Sequence, residues 1–241
     1  MLAGSERVGT LPVAMAGRAA LAVVAAAAWA ALAVGLAGHT THDDVLGHGH
    51  VPHLATVAAL IGGWLLMVAA MMLPPEIVTA RTRGAPTAGA TPGATAGATA
   101  ALAAATFAVW TGFAIVALSG DAVVHALADS RPWLERSVAP AVLIGAGLFQ
   151  LSPGRGRLLA AARSTSGRPW RHAVRCLGSC WALMLVMFAV GLGNLIWMIL
   201  LTVVMTAERV ERRRARLTGV PAGLALIVVG VLVAVQPYRI A

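Results

Sequence analysis

Charged residues are scarce in this 241-residue chain, and its basic residues are all of one type. Charged residues make up only 11% of the sequence, whereas a typical soluble domain carries roughly a quarter. Lysine is absent, so all 18 basic residues are arginines, and they leave a net charge of +9. Hydrophobic residues make up 59% of the chain. This balance excludes an ordinary soluble globular protein, because uncharged runs of this length have no polar face to present to water.

Several functional motifs are missing too. The arginines lie beside apolar runs, and no nucleic-acid recognition motif accompanies them, so we do not expect a nucleic-acid partner. The sequence shows no nucleophile–base arrangement and no phosphate-binding loop, which makes an enzyme the least supported class. The two cysteines, Cys176 and Cys180, are too few for a disulfide framework. They also share one predicted helix near a reducing compartment, which argues against a disulfide between them.

Long apolar runs are what remains, and several approach the 20 or so residues that a helix needs to cross a bilayer. The sequence therefore predicts an all-α, polytopic transmembrane helix bundle in the plasma membrane, with membrane lipids as its surroundings. The predicted segments are a cytoplasmic segment 1–18, a first transmembrane helix 19–38, an external loop 39–53, a second helix 54–83, a low-complexity linker 84–100 and the remaining bundle 101–241. We expect the second span to stop at Pro74-Pro75, because proline donates no backbone hydrogen bond.

The stretch from Cys176 to Ala207 can be read as one long helix or as a hairpin of two. The hairpin leaves only Arg131, Arg136 and Arg239 outside the cytoplasm. A single helix instead moves the arginine cluster of 209–216 outside and Arg239 inside. Because arginine is enriched in cytoplasmic loops, the hairpin is preferred. It gives about seven spans and a cytoplasmic N-terminus, against six spans for the single helix.

Sulfur-bearing and imidazole side chains form a stripe in the first half of this stretch. His172, Cys176, Cys180 and Met184 are spaced four apart and therefore stack on one face of a helix. Such donors suit Cu(I) or Zn(II). Further ligands at a similar depth are predicted to come from other helices, and these candidates are Met71, Met72 and Glu208. The alternative is packing, since Cys and Met also fill cores, with His172 facing water and Glu208 paired with an arginine.

The predicted external loop is rich in histidine. It carries His39, His42, Asp43, His48, His50 and His53. Neutral imidazoles bind Zn(II), Cu(II) or Ni(II), so the loop is a second candidate metal site. The alternative is a solvated polar loop.

Two segments resemble a known family. Residues 64–74 read Trp-Leu-Leu-Met-Val-Ala-Ala-Met-Met-Leu-Pro, and residues 176–184 read Cys-Leu-Gly-Ser-Cys-Trp-Ala-Leu-Met, continuing to Glu208. Together they resemble the DUF2182 family, which is described as predicted metal-binding integral membrane proteins. The resemblance implies a metal site within a helix bundle. That family usually has Gly-Cys-Cys-Trp where this chain has Gly178-Ser179-Cys180-Trp181, so one of the expected thiols is a hydroxyl here.

These observations favour a membrane protein that binds a soft transition metal, with copper as the first candidate. A non-catalytic subunit or assembly factor of a membrane complex is the alternative, in which case the apolar stripes contact a membrane-protein partner or a second copy. A transporter is the third reading. It needs a polar path through the bilayer, whereas the few polar groups in the predicted spans lie mostly near the two faces.

Overall fold

A computed structural model describes residues 6–37, 54–82, 92–128, 130–163, 168–191, 194–210 and 212–236. The described residues are helical nearly throughout and contain no strand, which confirms the predicted all-α class. The helices are α1 (Glu6–Ala37), α2 (Leu54–Thr82), α3 (Pro92–Ala128), α4 (Pro132–Leu151), α5 (Pro153–Arg163), α6 (Pro169–Val190), α7 (Leu195–Val210) and α8 (Arg212–Val235). The His-rich segment 39–53 and residues 84–91 of the predicted linker lie outside the described residues.

Helix length and apolar character set how many of these helices can cross a membrane. Within the described residues, the helical stretches that qualify are Ile61–Val78, Gly97–Leu127, Pro169–Val190 and Ala215–Val235. A fifth qualifies if α4 and α5, bent by 69° at Ser152, form one span. The apolar part of α1 is shorter, and the 16 residues of α7 rise only about 24 Å. Four to five helices thus meet the criterion, fewer than the seven spans predicted.

The chain breaks between α6 and α7, so the stretch from Cys176 to Ala207 is not a single helix. Gly191 has φ of 93°, a left-handed conformation that glycine adopts without strain. Asn194 then caps α7, because its side-chain oxygen accepts a hydrogen bond from the Trp197 amide at 3.3 Å. The predicted break around these residues is therefore present.

Helix α2 does not end at its two prolines, which corrects the expectation from sequence. It continues through Pro74 and Pro75 to Thr82. Pro74 has no N–H for the carbonyl of Ala70, four residues earlier. That buried carbonyl instead accepts a hydrogen bond from Nε1 of Trp29 in α1, at 2.9 Å. The indole thus supplies the donor that the proline lacks.

The predicted linker is also partly helical. Helix α3 begins at Pro92 and runs to Ala128, so the last residues of the 84–100 segment belong to it. Alanine has the highest helix propensity, and proline is well tolerated at a first helical position. The low-complexity composition concealed a helix start.

The described residues fall into two compact units. The first comprises Met1–Thr111 and Arg163–Val174, and the second Gly112–Ala162 and Arg175–Ala241. In the first unit α1 packs on α2 through small side chains, and Ala25 and Ala28 share a cluster with Ala69 and Ala70. In the second unit α8 packs on α4 and on α7.

Glycine permits the close approach of α4 and α8. A Cβ on Gly223 would lie 3.0 Å from the backbone oxygen of Gly147, and one on Gly147 would lie 2.6 Å from that of Gly223. Small residues at such crossings are typical of membrane helix pairs.

Replacing Trp29 with Phe tests the hydrogen bond that compensates for Pro74. We expect Trp29→Phe to lower the free energy of unfolding in detergent by about 1–3 kcal/mol, because a buried carbonyl loses its donor. In a Pro74→Ala background, where the residue 74 amide is available, the same replacement should cost clearly less. If Trp29→Phe lowered the free energy of unfolding equally in both backgrounds, the indole would not replace the missing proline donor.

Candidate metal centre

The two thiols lie buried in the second unit, on consecutive turns of α6. Cys176 is 1% exposed and Cys180 4% exposed, and neither forms a disulfide. Their side chains interact with each other. Met184, one further turn along the same face, is fully buried. The helix therefore presents two thiols and a thioether to the protein interior rather than to its surface.

A guanidinium group approaches the thiols from α7. Nη2 of Arg209 lies 3.8 Å from Sγ of Cys180 and 3.5 Å from Oγ of Ser179. The Ser179 hydroxyl donates to the carbonyl of Cys176 at 2.9 Å and lies 3.5 Å from the Cys180 sulfur. Arg209 is 1% exposed, so a positive charge is held beside a buried sulfur in surroundings of low dielectric.

Glu208, the residue before Arg209, is fixed by two partners. Its carboxylate forms an ion pair with Arg155 of α5 and accepts a hydrogen bond from Nε2 of Gln150 of α4 at 2.6 Å. We call Glu208, Arg155 and Gln150 the carboxylate cluster; all three are buried. The predicted alternative of an arginine partner for Glu208 is thus present, and both carboxylate oxygens are engaged.

Backbone geometry makes room for this cluster. Helix α4 ends at Leu151, Ser152 adopts an extended conformation, and Pro153 starts α5 in a new direction. The turn brings Arg155 to Glu208. On the other side a Cβ at Gly219 of α8 would lie 2.9 Å from a Glu208 oxygen, so a larger residue there would displace the carboxylate.

In the first unit His172 pairs with Glu76. Nε2 of His172 lies 2.7 Å from Oε2 of Glu76, and both residues are buried. The expectation that His172 could simply face water is therefore wrong: the imidazole finds a carboxylate instead. Met71 and Met72 are fully buried in the same unit.

The predicted ligands are distributed over both units. Met71, Met72 and His172 belong to the first, whereas Cys176, Cys180, Met184 and Glu208 belong to the second. Among the described residues no three His, Cys, Asp or Glu side chains group closely enough to hold an ion. A site in the second unit must therefore rest on the thiol pair with thioether donors. The external candidates from His39 to His53 lie outside the described residues.

Sequence reasoning missed two participants, Arg209 and Ser179. From the sequence, Arg209 was one of the arginines that indicate the topology, and Ser179 was a departure from a motif. A signal was present, because Thr202, Met205 and Arg209 are spaced three and four apart and share one face of α7. An arginine on an otherwise apolar face has a specific partner in most cases, since its burial is costly.

Comparison with known protein families gives a match that covers most of the chain. The model of a family described as a copper chaperone, PpoB2, matches residues 61–233, well over half of the chain. The matched region includes both thiols, the carboxylate cluster and the His172–Glu76 pair. Comparison with curated proteins and with solved structures found no match.

Two arginines of α5 provide a matched test of the carboxylate cluster. Arg155 is buried against Glu208, whereas Arg157 is exposed. We expect Arg155→Met to lower the free energy of unfolding by about 3 kcal/mol, because it leaves a buried carboxylate without its cation. Arg157→Met should change it by less than about 0.5 kcal/mol. Unfolding in mixed detergent measures both, and equal effects would show that the ion pair contributes no specific stability.

Proposed function

This chain belongs to the PpoB2 family of copper chaperones, and from that premise we propose that it binds Cu(I) through sulfur within a membrane-embedded helix bundle. The observation that carries the proposal is the thiol pair of Cys176 and Cys180, buried one turn apart on α6. Thiolates and thioethers are the ligands that select Cu(I). Copper is the cargo in this account and is not a resident cofactor.

The ligand set begins with the two thiols. Met184 follows them on the same face of α6, and Met205 is a buried thioether of α7 in the same unit. We propose that one such thioether completes a low-coordinate Cu(I) site. A flexible thioether is a weak, adaptable donor, which suits a protein that must release its ion.

The other predicted ligands would assist copper binding at the thiols without forming that site. Met71 and Met72 would receive or release copper in the first unit, close in sequence to the His172–Glu76 pair. Glu208 would act through its ion pair with Arg155 by fixing α7. The histidines between His39 and His53 would collect ions at the outer surface. Zn(II) remains the second candidate ion for thiols and imidazoles.

Membrane placement and direction also belong to the proposal. Apolar helices of sufficient length support a multi-pass protein of the plasma membrane. If α6 and α7 form a hairpin that crosses twice, the arginine distribution supports a cytoplasmic N-terminus and thiols near the cytoplasmic side. A chaperone needs an acceptor, so we expect a membrane-protein partner that takes the ion. The resemblance to the DUF2182 family implies the same metal chemistry.

Copper content tests the thiol site directly. Washed, detergent-purified protein is loaded with Cu(I) under reducing conditions, and bound copper is measured by elemental analysis. We expect Cys176→Ser/Cys180→Ser to lose most of the copper bound by the wild type, because hydroxyls are poor ligands for a soft ion. Ser137→Ala, which removes a hydroxyl from α4 and no sulfur, should keep it.

Equal copper content in the wild type and the double variant would contradict the thiol site. If the protein then purified from native membranes in a stable complex but without copper, the assembly-factor reading would replace the present proposal. Near-ultraviolet absorption from sulfur-to-copper charge transfer gives a second readout, since it requires that the sulfurs themselves bind the ion.

A further inference from the structure

We infer that Arg209 makes the thiol site selective for a monovalent metal ion, an inference that rests on the proposed function and extends it. Arg209 lies on α7, a different helix from the thiols, and it is 1% exposed. Its guanidinium stays charged at every physiological pH. The charge is therefore a fixed property of the site.

The position of this charge is set by contacts on both sides. Nη2 of Arg209 lies 3.8 Å from Sγ of Cys180 and 3.5 Å from the Ser179 hydroxyl. Glu208, one residue earlier on α7, is anchored to Arg155 and Gln150. Because adjacent residues of a helix point in different directions, the carboxylate cluster holds one side of α7 while Arg209 faces α6.

A charge balance connects this geometry to the ion. Two metal-binding thiolates carry two negative charges, and Arg209 returns one positive charge. A monovalent ion such as Cu(I) brings these groups to neutrality, whereas a divalent ion such as Zn(II) leaves one positive charge in excess. The ion pair of Glu208 with Arg155 is neutral by itself and does not alter the difference between the two ions.

Because the site is buried, the difference of one charge between the two ions favours the monovalent ion. An excess charge is costly in surroundings of low dielectric, and here it would lie within a few ångströms of a guanidinium of the same sign. One further unit of charge on the metal therefore meets a repulsion that a monovalent ion largely avoids. Arg209 also has a further interaction within the protein, and its positive charge repels the second charge of a divalent ion whichever group that partner is. Arg209 thus acts as a positioning and specificity residue that works through the thiols.

Competition between Cu(I) and Zn(II) on the full-length, detergent-purified protein tests the inference. Apparent affinities for both ions are measured under anaerobic conditions against chromophoric chelators, and their ratio is the readout. We expect Arg209→Met to lower the ratio of Cu(I) to Zn(II) affinity by at least about tenfold. Arg209→Lys, which keeps the charge, should retain most of the preference.

Two controls separate charge from folding. Arg216→Met removes an exposed arginine of α8 and should leave the ratio unchanged. Both affinities are measured on the same folded fraction, so a lower yield does not affect their ratio, and Arg209→Gln replaces the Met variant if that variant does not fold.

The possible results distinguish the role of Arg209 in selectivity from copper binding by the two thiols. An unchanged ratio in the Arg209 variants, with copper still lost on replacing the two cysteines, would overturn the role of Arg209 alone. A fall in the ratio that Lys does not rescue would also overturn it, because the guanidinium shape rather than its charge would then matter. Copper binding that survives replacement of both cysteines would overturn the proposed thiol site as well.

Discussion

Two adjacent charged residues at the end of α7 hold the second unit in its arrangement. Glu208 is bound by Arg155 and Gln150, and Arg209 reaches Ser179 and Cys180. Charges buried among apolar helices are costly unless they have partners, so each contact restricts where α4, α5, α6 and α8 can lie. The cysteines owe their polar surroundings to this constraint.

The same constraint supports the proposal that the thiols bind an ion. A buried thiol in purely apolar surroundings is inert. Cys180 instead lies beside a guanidinium and a hydroxyl, and Cys176 shares its face of the helix. The copper chaperone family also matches residues 61–233. Together with these contacts, that match supports the proposed binding of Cu(I) by sulfur.

Composition and periodicity were sufficient to predict the all-α class, the break near Gly191 and the face shared by Cys176 and Cys180. These features depend on local rules, namely the length of apolar runs, turn residues and the spacing of four. The continuation of α2 through Pro74 was not predictable, because its compensating donor, Trp29, comes from another helix. An arginine partner for Glu208 was predictable, but which arginine it is, and the carboxylate partner of His172, were not, for the same reason. Each depends on contacts between residues far apart in sequence, which spacing alone does not encode.

The two units carry different chemistry. The first contains a buried imidazole–carboxylate pair and buried thioethers, and the second contains the thiols with their guanidinium. A protein that passes copper onward needs sites whose affinities differ, since an ion held equally tightly throughout is not released. Thiols occur only in the second unit among the described residues, whereas the first offers thioethers and an imidazole, which are weaker donors for Cu(I).

X-ray absorption at the copper edge, recorded on Cu(I)-loaded protein in detergent, shows directly whether sulfur binds the ion. If Cys176 and Cys180 bind the ion, the atoms bound to copper are mainly sulfur, the coordination number is low, and the edge is that of Cu(I). A first shell of nitrogen and oxygen alone would contradict this proposal, because the ion would then be bound elsewhere than at Cys176 and Cys180.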